Sequence, residues 1–205
     1  MTDMKSHWEA VYADKSPLEV SWFQKKPLQS LRFIDNAGLK LVDAIIDVGG
    51  GASRLVDYLL ILGFSNLSVL DISDKALASS RQRLGNKAQA IKWYAQDITT
   101  FNTPEVFRLW HDRAVFHFLT NAGDRKKYVD ILNHSLQVDG HLIMAAFAPG
   151  GPTRCSNLDI VQYDADKLLA ELGSNFCLLE KASELHITPV GKEQQFNYFH
   201  LLKTA

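Results

Sequence analysis

The chain has 205 residues, enough for one well-buried core, and no Pro-, Ser- or Gly-rich stretch divides it. We therefore expect a single domain over residues 1–205, with an N-terminal arm or lid and a first helix in residues 1–38. Its 22 basic and 23 acidic residues give a formal net charge of -1, which argues against nucleic acid as a principal partner. No apolar run is long enough to span a bilayer, and the two cysteines and lack of a targeting signal favour the cytoplasm.

Strand and helix patterns alternate along most of the chain. After an irregular aromatic start, a first helix is expected from about Pro27. The expected strands are 44–48, 67–71, 91–95, 107–111 and 142–147. The expected helices are 53–62, one capped by Asp74 and stopped by Gly85, one from Asp124 through Leu136, and 164–172. Such alternation indicates parallel strands joined by crossover helices.

The last segment departs from this alternation. Two strands are expected at about 176–187 and 195–202, and the short connection between them forces an antiparallel hairpin. The predicted fold class is α/β: a doubly wound, mostly parallel seven-stranded sheet with a C-terminal antiparallel hairpin.

A glycine-rich loop follows the first strand in the segment Asp47-Val-Gly49-Gly50-Gly51-Ala-Ser53, and Asp71 ends the second strand. Glycines let backbone amides approach a ligand closely, and an acid at that strand end can hold the two hydroxyls of a ribose. The pattern predicts an adenosine-containing cofactor. Arg54 stands where a dinucleotide site has its third glycine, which argues against NAD or FAD.

The glycine loop, Asp71 and the terminal hairpin resemble those of class I S-adenosylmethionine-dependent methyltransferases, although Ser53 replaces the third glycine of that motif. The resemblance implies a Rossmann-like methyltransferase fold, S-adenosylmethionine as cofactor and no metal. It further implies cofactor-binding roles for the following residues: Trp22, Asp47, Gly49, Gly50, Gly51, Asp71, Ile72, Asp97, Ile98 and His111. Asp71 would bind the ribose, Ile72 would pack on the adenine, and Asp97 would accept from its exocyclic amine. The alternatives are that Asp71 and Asp97 merely cap turns and Ser53 caps a helix.

The segment Trp110-x-Asp112-Arg113 resembles the matching part of thiopurine- and tellurite-type methyltransferases, which favours a small-molecule acceptor over a protein. The aromatic opening, with Trp8 and Trp22, is also shared with lysine methyltransferases, so a protein lysine acceptor stays open. A third possibility is a non-catalytic cofactor-binding or regulatory protein of the same fold.

Direct methyl displacement needs alignment and, for some acceptors, a base. His111 and Asp112 are the candidate catalytic residues, whereas His117 lies in an apolar run and is expected in the core. Either His111 contacts cofactor or substrate, or backbone groups satisfy it. Arg113 either binds an anionic part of the substrate or forms a structural ion pair.

The loop after the fifth strand, residues 148–157, is the expected substrate cover. In it, Arg154 could meet an acidic acceptor and Cys155 could line the pocket, although a surface turn would also explain the composition. The sequence does not indicate an oligomeric state.

Overall fold

The computed structural model describes residues 3–205, and these form nine strands and six α-helices. The strands are β1 (Ile45–Val48), β2 (Leu67–Asp71), β3 (Ile91–Ala95), β4 (Phe107–Arg113), β5 (Leu136–Phe147), β6 (Arg154–Cys155), β7 (Leu158–Asp159), β8 (Phe176–Ile187) and β9 (Glu193–Lys203). The helices are α1 (Met4–Asp14), α2 (Leu28–Asn36), α3 (Leu55–Ile61), α4 (Asp74–Leu84), α5 (Ala122–Ser135) and α6 (Ala165–Leu172). Short 3-10 helices cover Gly85–Ala90, Ile98–Thr100 and Phe116–Phe118.

Seven strands form one sheet in the order β3-β2-β1-β4-β5-β9-β8. The strands β3, β2, β1, β4 and β5 are parallel, and β9 runs antiparallel to both β5 and β8. The order of the strands reverses between β1 and β4: β2 and β3 lie on one side of β1, and β4 and β5 lie on the other. Ligands bind at such a position in open α/β sheets. The predicted fold class, with its closing hairpin, is confirmed.

Helices cover both faces of the sheet, which explains why its central strands are apolar on both sides. On one face, α2 and α3 bury Phe33, Ile34 and Leu59 in a core cluster shared with residues of β1, β2, β5 and β9. On the other, α5 and α6 bury Tyr128 and Leu168. The central strands are thereby held rigidly, and their carboxyl ends form a fixed platform for a site.

The N-terminal segment differs from its prediction. Residues 4–14 form helix α1 rather than an irregular arm, and the side chain of Asp3 caps it by accepting from the backbone N–H groups of Lys5 and Ser6. The sequence of α1 gives no clear helical pattern, because its apolar face is short and none of its residues is fully buried. Tertiary contacts with α4, described below, hold it in place.

Three boundaries also differ. Strand β4 continues to Arg113, so the Trp110–Arg113 segment lies within the strand and not after it. Strand β5 begins at Leu136 and not at residue 142. Gln137, Val138 and Asp139 near its start are exposed, so the apolar run covers only the later part of the strand. The expected loop at 148–157 instead contains part of a small hairpin, in which Arg154 pairs with Asp159.

Candidate cofactor and acceptor site

A cavity of about 620 Å³ opens at the carboxyl ends of β1, β2 and β4. This volume is in the range of small-molecule sites. The cavity is lined by eight of the residues predicted to bind cofactor or substrate: Trp22, Gly49, Asp71, Ile72, Asp97, Ile98, Arg113 and Cys155.

The glycine loop is built so tightly that side chains are excluded from it. Gly49 has φ +70° and donates to the Leu70 carbonyl at 2.7 Å, and a Cβ at Gly49 would overlap the Val115 side chain. A Cβ at Gly51 would overlap the Asp71 carboxylate. Glycine is therefore required at both positions for the loop to pack against β2 and β4.

Asp71 joins this loop to the end of β2. One carboxylate oxygen accepts from the Gly51 N–H at 2.9 Å and the other from the Ser73 N–H at 2.8 Å. Burial raises the pKa of Asp71 to about 6, although both hydrogen bonds oppose that change. Each oxygen keeps a further lone pair, so the turn-capping alternative is compatible with ribose binding.

The loop after β3 supplies the next wall. One oxygen of Asp97 accepts from the Thr99 N–H at 2.7 Å and from the Thr99 hydroxyl at 2.8 Å. Its second oxygen has no such partner among the described residues and is available to a ligand amine. Ile72 and Ile98 line the same cavity and present apolar surface to a flat ring.

Asp47 and His111 lie beneath the glycine loop. His111 Nδ1 is 2.7 Å from one oxygen of Asp47, and Nε2 is 2.9 Å from the Ser30 hydroxyl. The carboxylate accepts from Nδ1, and Nε2 pairs with the Ser30 hydroxyl, so both ring nitrogens are engaged. The second oxygen of Asp47 is buried without a partner in residues 3–205. A buried, unpartnered carboxylate oxygen beside the loop suits a cationic ligand group.

A separate small cavity of about 50 Å³ adjoins this pair. Asp47, His111, Trp22 and Gly49 line it together with Arg54. Arg54, whose position in the sequence argues against a dinucleotide, lies beside the glycine loop in this small cavity.

His111 and Asp112 do not line the large cavity. One oxygen of Asp112 accepts from the Val115 N–H at 2.8 Å, the other from the Tyr128 hydroxyl at 2.6 Å and the Phe116 N–H at 3.1 Å. Asp112 thus holds the end of β4 against α5. The expectation that these two residues act as bases at the methyl position does not fit their hydrogen bonds.

An aromatic cluster, here called the aromatic cover, lines the cavity. The Trp8 ring centroid lies 5.6 Å from that of Trp22 and 5.1 Å from that of Phe118, and Tyr12 lies 6.2 Å from Trp22. All four side chains line the cavity. Trp8 and Tyr12, which are four residues apart, lie on one face of α1. The lid role of Trp22 stays a prediction.

Helix α1 is tied to the helix that follows Asp71. Lys5 Nζ is 2.9 Å from the Asp74 carboxylate, and the Glu9 carboxylate accepts from the Asp74 N–H at 2.6 Å. The first contact is exposed and screened by solvent, so it contributes little. The contacts with α4 and the ring contacts of Trp8 and Tyr12 together hold α1 in place.

The predicted substrate residues are placed differently from one another. Arg113 donates to the Tyr198 hydroxyl at 2.8 Å and to the Trp22 carbonyl at 2.9 Å, and it lies 3.8 Å from the Glu184 carboxylate. The ion-pair alternative for Arg113 is therefore met by Glu184. Cys155 is buried in the cavity wall, and burial raises the pKa of its thiol.

Arg154 does not reach the cavity. It is exposed and pairs with Asp159 across the β6–β7 hairpin at 3.1 Å. Gly50 and Gly51 also lie outside the cavity lining and act through the loop's shape.

Several polar residues of the cavity wall were not predicted to lie there, among them His117 and Gln194. His117, expected in the core, is fully buried but lines the cavity, and burial with the nearby Arg113 lowers its pKa to about 3. Gln194 lines the same wall from β9. A single polar residue in a long alternating strand gives no signal that could have identified it.

Residues 9–149 match the family model described as nodulation protein S, NodS. This chain belongs to the NodS family. The prediction of a class I S-adenosylmethionine-dependent methyltransferase is thereby confirmed, and with it the enzyme class and the cofactor. The buried free oxygen of Asp47, the tight glycine loop and Asp71 fit that cofactor.

Other proteins similar to the chain differ in what they act on. The N-methyltransferase NodS from Bradyrhizobium japonicum WM9, solved with S-adenosylhomocysteine, is 17% identical with a TM-score of 0.72, covering 99% of this chain and 100% of that one. A Burkholderia thailandensis 1,6-didemethyltoxoflavin-N1-methyltransferase is also 17% identical with a TM-score of 0.72, covering 98% of this chain and 88% of that one. Human EEF1A lysine methyltransferase 2 is 24% identical over 192 residues, or 86% of this chain and 75% of that one.

In residues 3–205, the helices are all too short or too polar to cross a bilayer. The same residues contain no His, Cys, Asp or Glu group arranged to hold a metal ion.

Proposed function

We propose that the protein transfers the methyl group of S-adenosylmethionine to a small molecule held in the covered cavity. The observation that carries this proposal is the aromatic cover itself. Trp8, Tyr12, Trp22 and Phe118 meet above the cavity through ring contacts. A small molecule can be enclosed beneath such a cover, whereas a protein segment would need a groove that continues to the surface.

The cofactor would lie along the carboxyl ends of β1, β2 and β3. Asp71 would accept from the ribose hydroxyls, the free oxygen of Asp97 would accept from the adenine amine, and Ile72 and Ile98 would pack on the ring. The amino-acid end would lie over the small cavity, where Asp47 offers an unpartnered oxygen and Arg54 a cation. When bound, the cofactor supplies an activated methyl group on a sulfonium.

The chain's own contribution is alignment and exclusion of water. His111 holds Asp47 from below and is a positioning residue, because both of its nitrogens are engaged with Asp47 and Ser30. Asp112 fixes the turn after β4, whose residues Ala114 and Val115 line the cavity. Trp22 closes the cavity and is tied to Arg113 through its carbonyl.

A protein lysine acceptor is the second candidate, favoured by the similarity to human EEF1A lysine methyltransferase 2. Both candidates use the same cofactor site and differ only in what enters the other half of the cavity.

Transfer of a tritiated methyl group into a fractionated cell extract separates them. Purified protein is incubated with labelled S-adenosylmethionine and extract, and the products are divided by size into protein and small-molecule fractions. We expect label in the small-molecule fraction and none with the Asp71→Ala variant. Label in protein would overturn the small-molecule acceptor, and failure to bind S-adenosylhomocysteine at all would favour a non-catalytic protein.

A further inference from the structure

Three side chains in one part of the cavity wall carry buried polar atoms that have no hydrogen-bond partner within residues 3–205. They are Arg113 Nη2, both ring nitrogens of His117, and Gln194 Oε1. Arg113 Nη2 lies 3.8 Å from the Glu184 carboxylate, an ion pair beyond hydrogen-bond distance. Native proteins pair nearly all buried polar groups. A ligand that binds against this wall would supply the missing partners.

These atoms surround two phenylalanine rings. The guanidinium of Arg113 lies 4.7 Å from the Phe196 ring centroid, Phe196 is 4.7 Å from Phe147, and Phe147 is 5.1 Å from the His117 ring. Gln194 stands two residues before Phe196 on β9. We call these five residues the phenylalanine subsite. Its apolar surface suits a flat ring, and its polar atoms suit that ring's edge.

The subsite has little unbalanced charge. Arg113 is paired with Glu184 at 3.8 Å, and Glu184 also accepts from the Tyr198 hydroxyl at 3.0 Å. His117 is neutral at pH 7 because burial and Arg113 lower its pKa to about 3. A charged group entering here would lose its hydration without gaining a free counter-ion.

Four acidic residues line the cavity outside this subsite. Asp71 and Asp97 belong to the proposed cofactor half. Asp159 pairs with Arg154 at 3.1 Å and Asp124 with Lys127 at 2.9 Å, both at exposed positions. The subsite therefore fits a neutral ligand better than an alkylammonium.

We propose that the phenylalanine subsite recognises the methyl acceptor as a neutral, planar heterocycle whose edge carries both an N–H donor and a carbonyl or ring-nitrogen acceptor, as in a lactam. Gln194 Oε1 accepts from the ligand's N–H, Arg113 Nη2 donates to its carbonyl, and His117 pairs with a further edge group. This inference rests on the small-molecule function proposed above and names the chemical class of its substrate.

Calorimetric binding to the protein saturated with S-adenosylhomocysteine tests it without requiring turnover. The probes are 2-quinolinone, its N-methylated form 1-methyl-2-quinolinone, benzoate, and butylammonium as a mimic of the lysine side chain. We expect 2-quinolinone to bind most tightly, about fivefold or more above the N-methylated form, since one neutral hydrogen bond contributes about that factor.

The variant Gln194→Leu should remove this preference while leaving the affinity for S-adenosylhomocysteine unchanged. The matched control is Gln195→Leu, the same change one residue along β9, outside the cavity lining. His117→Asn should also weaken 2-quinolinone binding; because His117 is fully buried, Gln194→Leu carries the test if the His117 variant does not fold.

The proposal is overturned if 2-quinolinone does not bind, if its N-methylated form binds equally well, or if benzoate or butylammonium binds more tightly. It is also overturned if Gln194→Leu leaves the preference intact. Any of these results obtained with normal S-adenosylhomocysteine binding and label transfer into small molecules would leave the proposed function standing. Label in the protein fraction would overturn that function separately.

Discussion

Replacing Asp71 by alanine separates the cofactor's ribose contact from the carboxylate's role in the fold. In the unliganded protein the change leaves the N–H groups of Gly51 and Ser73 buried without acceptors, at a cost of about 1–3 kcal/mol each. Stability should therefore fall by about 2–6 kcal/mol. Two charge-assisted bonds to the ribose hydroxyls, at about 1.5–3 kcal/mol each, correspond to a loss of affinity of about 10²- to 10⁴-fold.

Calorimetry with S-adenosylhomocysteine gives the affinity, and thermal unfolding without ligand gives the stability. Asp57→Ala is the matched control: it removes the 2.7 Å ion pair with Arg83 between α3 and α4 but does not line either cavity. It should lower the melting temperature and leave the dissociation constant within about twofold, because surface-side ion pairs affect only the fold. The reasoning is refuted if Asp71→Ala weakens binding less than about tenfold relative to this control.

The pH dependence of S-adenosylhomocysteine binding provides a second test of the ribose contact of Asp71. Burial raises the pKa of Asp71 to about 6, so the unliganded fold favours the protonated carboxyl group more than the unfolded chain does. The stability that this protonated group contributes is lost as pH rises through about 6. Ribose hydroxyls donate to the ionised form, so affinity should fall as pH drops below about 6. Binding by Asp71→Ala should lack this dependence; a wild-type affinity that is constant from pH 5 to 7 would contradict the ribose contact.

Three further outcomes are expected. Trp8→Ala removes the ring contacts with Trp22 and Phe118 and the longer one with Tyr12. The first two are worth about 1–3 kcal/mol together, so the change should raise the dissociation rate of S-adenosylhomocysteine about fivefold or more in stopped-flow measurements. An unchanged rate would mean that the cluster does not retain the ligand. Tyr128→Phe deprives the buried Asp112 of a 2.6 Å hydrogen bond and should destabilise the protein by about 1–3 kcal/mol in denaturant unfolding, without changing cofactor affinity. His141 Nδ1 lies 2.9 Å from Nε2 of the buried His200, and burial is the main cause that lowers the pKa of His141 to about 4. The free energy of unfolding should therefore decrease as pH falls from about 6.5 towards 4. The variant His141→Gln should show a smaller decrease.

Local sequence patterns predicted the elements that the central sheet depends on. The bounds of β2 and β3 are those predicted, because each is a short apolar strand ended by a turn or helix signal. The C-terminal hairpin was predicted for a topological reason, since a short connection between long strands leaves them no other arrangement. Helix α1 was not predicted, because its stability comes from α4 and the aromatic cover rather than from its own pattern.

The residues of the proposed cofactor half could also be placed together from sequence. Gly49 follows β1, Asp71 ends β2 and Asp97 comes two residues after β3. The carboxyl ends of adjacent parallel strands necessarily lie together. The acceptor half was not accessible in this way. Arg113, His117 and Gln194 come from β4, a 3-10 helix and β9, and sequence distance does not show that they line one wall.

The sequence by itself determined the fold class, the family and the cofactor, because these depend on motifs of a few neighbouring residues and on the limits of chain connectivity. Only the tertiary structure decided what surrounds the histidines. His111, the expected base, has both nitrogens engaged beneath the glycine loop, while His117, the expected core residue, faces a cavity with neither nitrogen paired among the described residues. The physical reason is that a histidine's role depends on the hydrogen-bond partners that distant segments bring to it, and those partners are not encoded next to it in the chain.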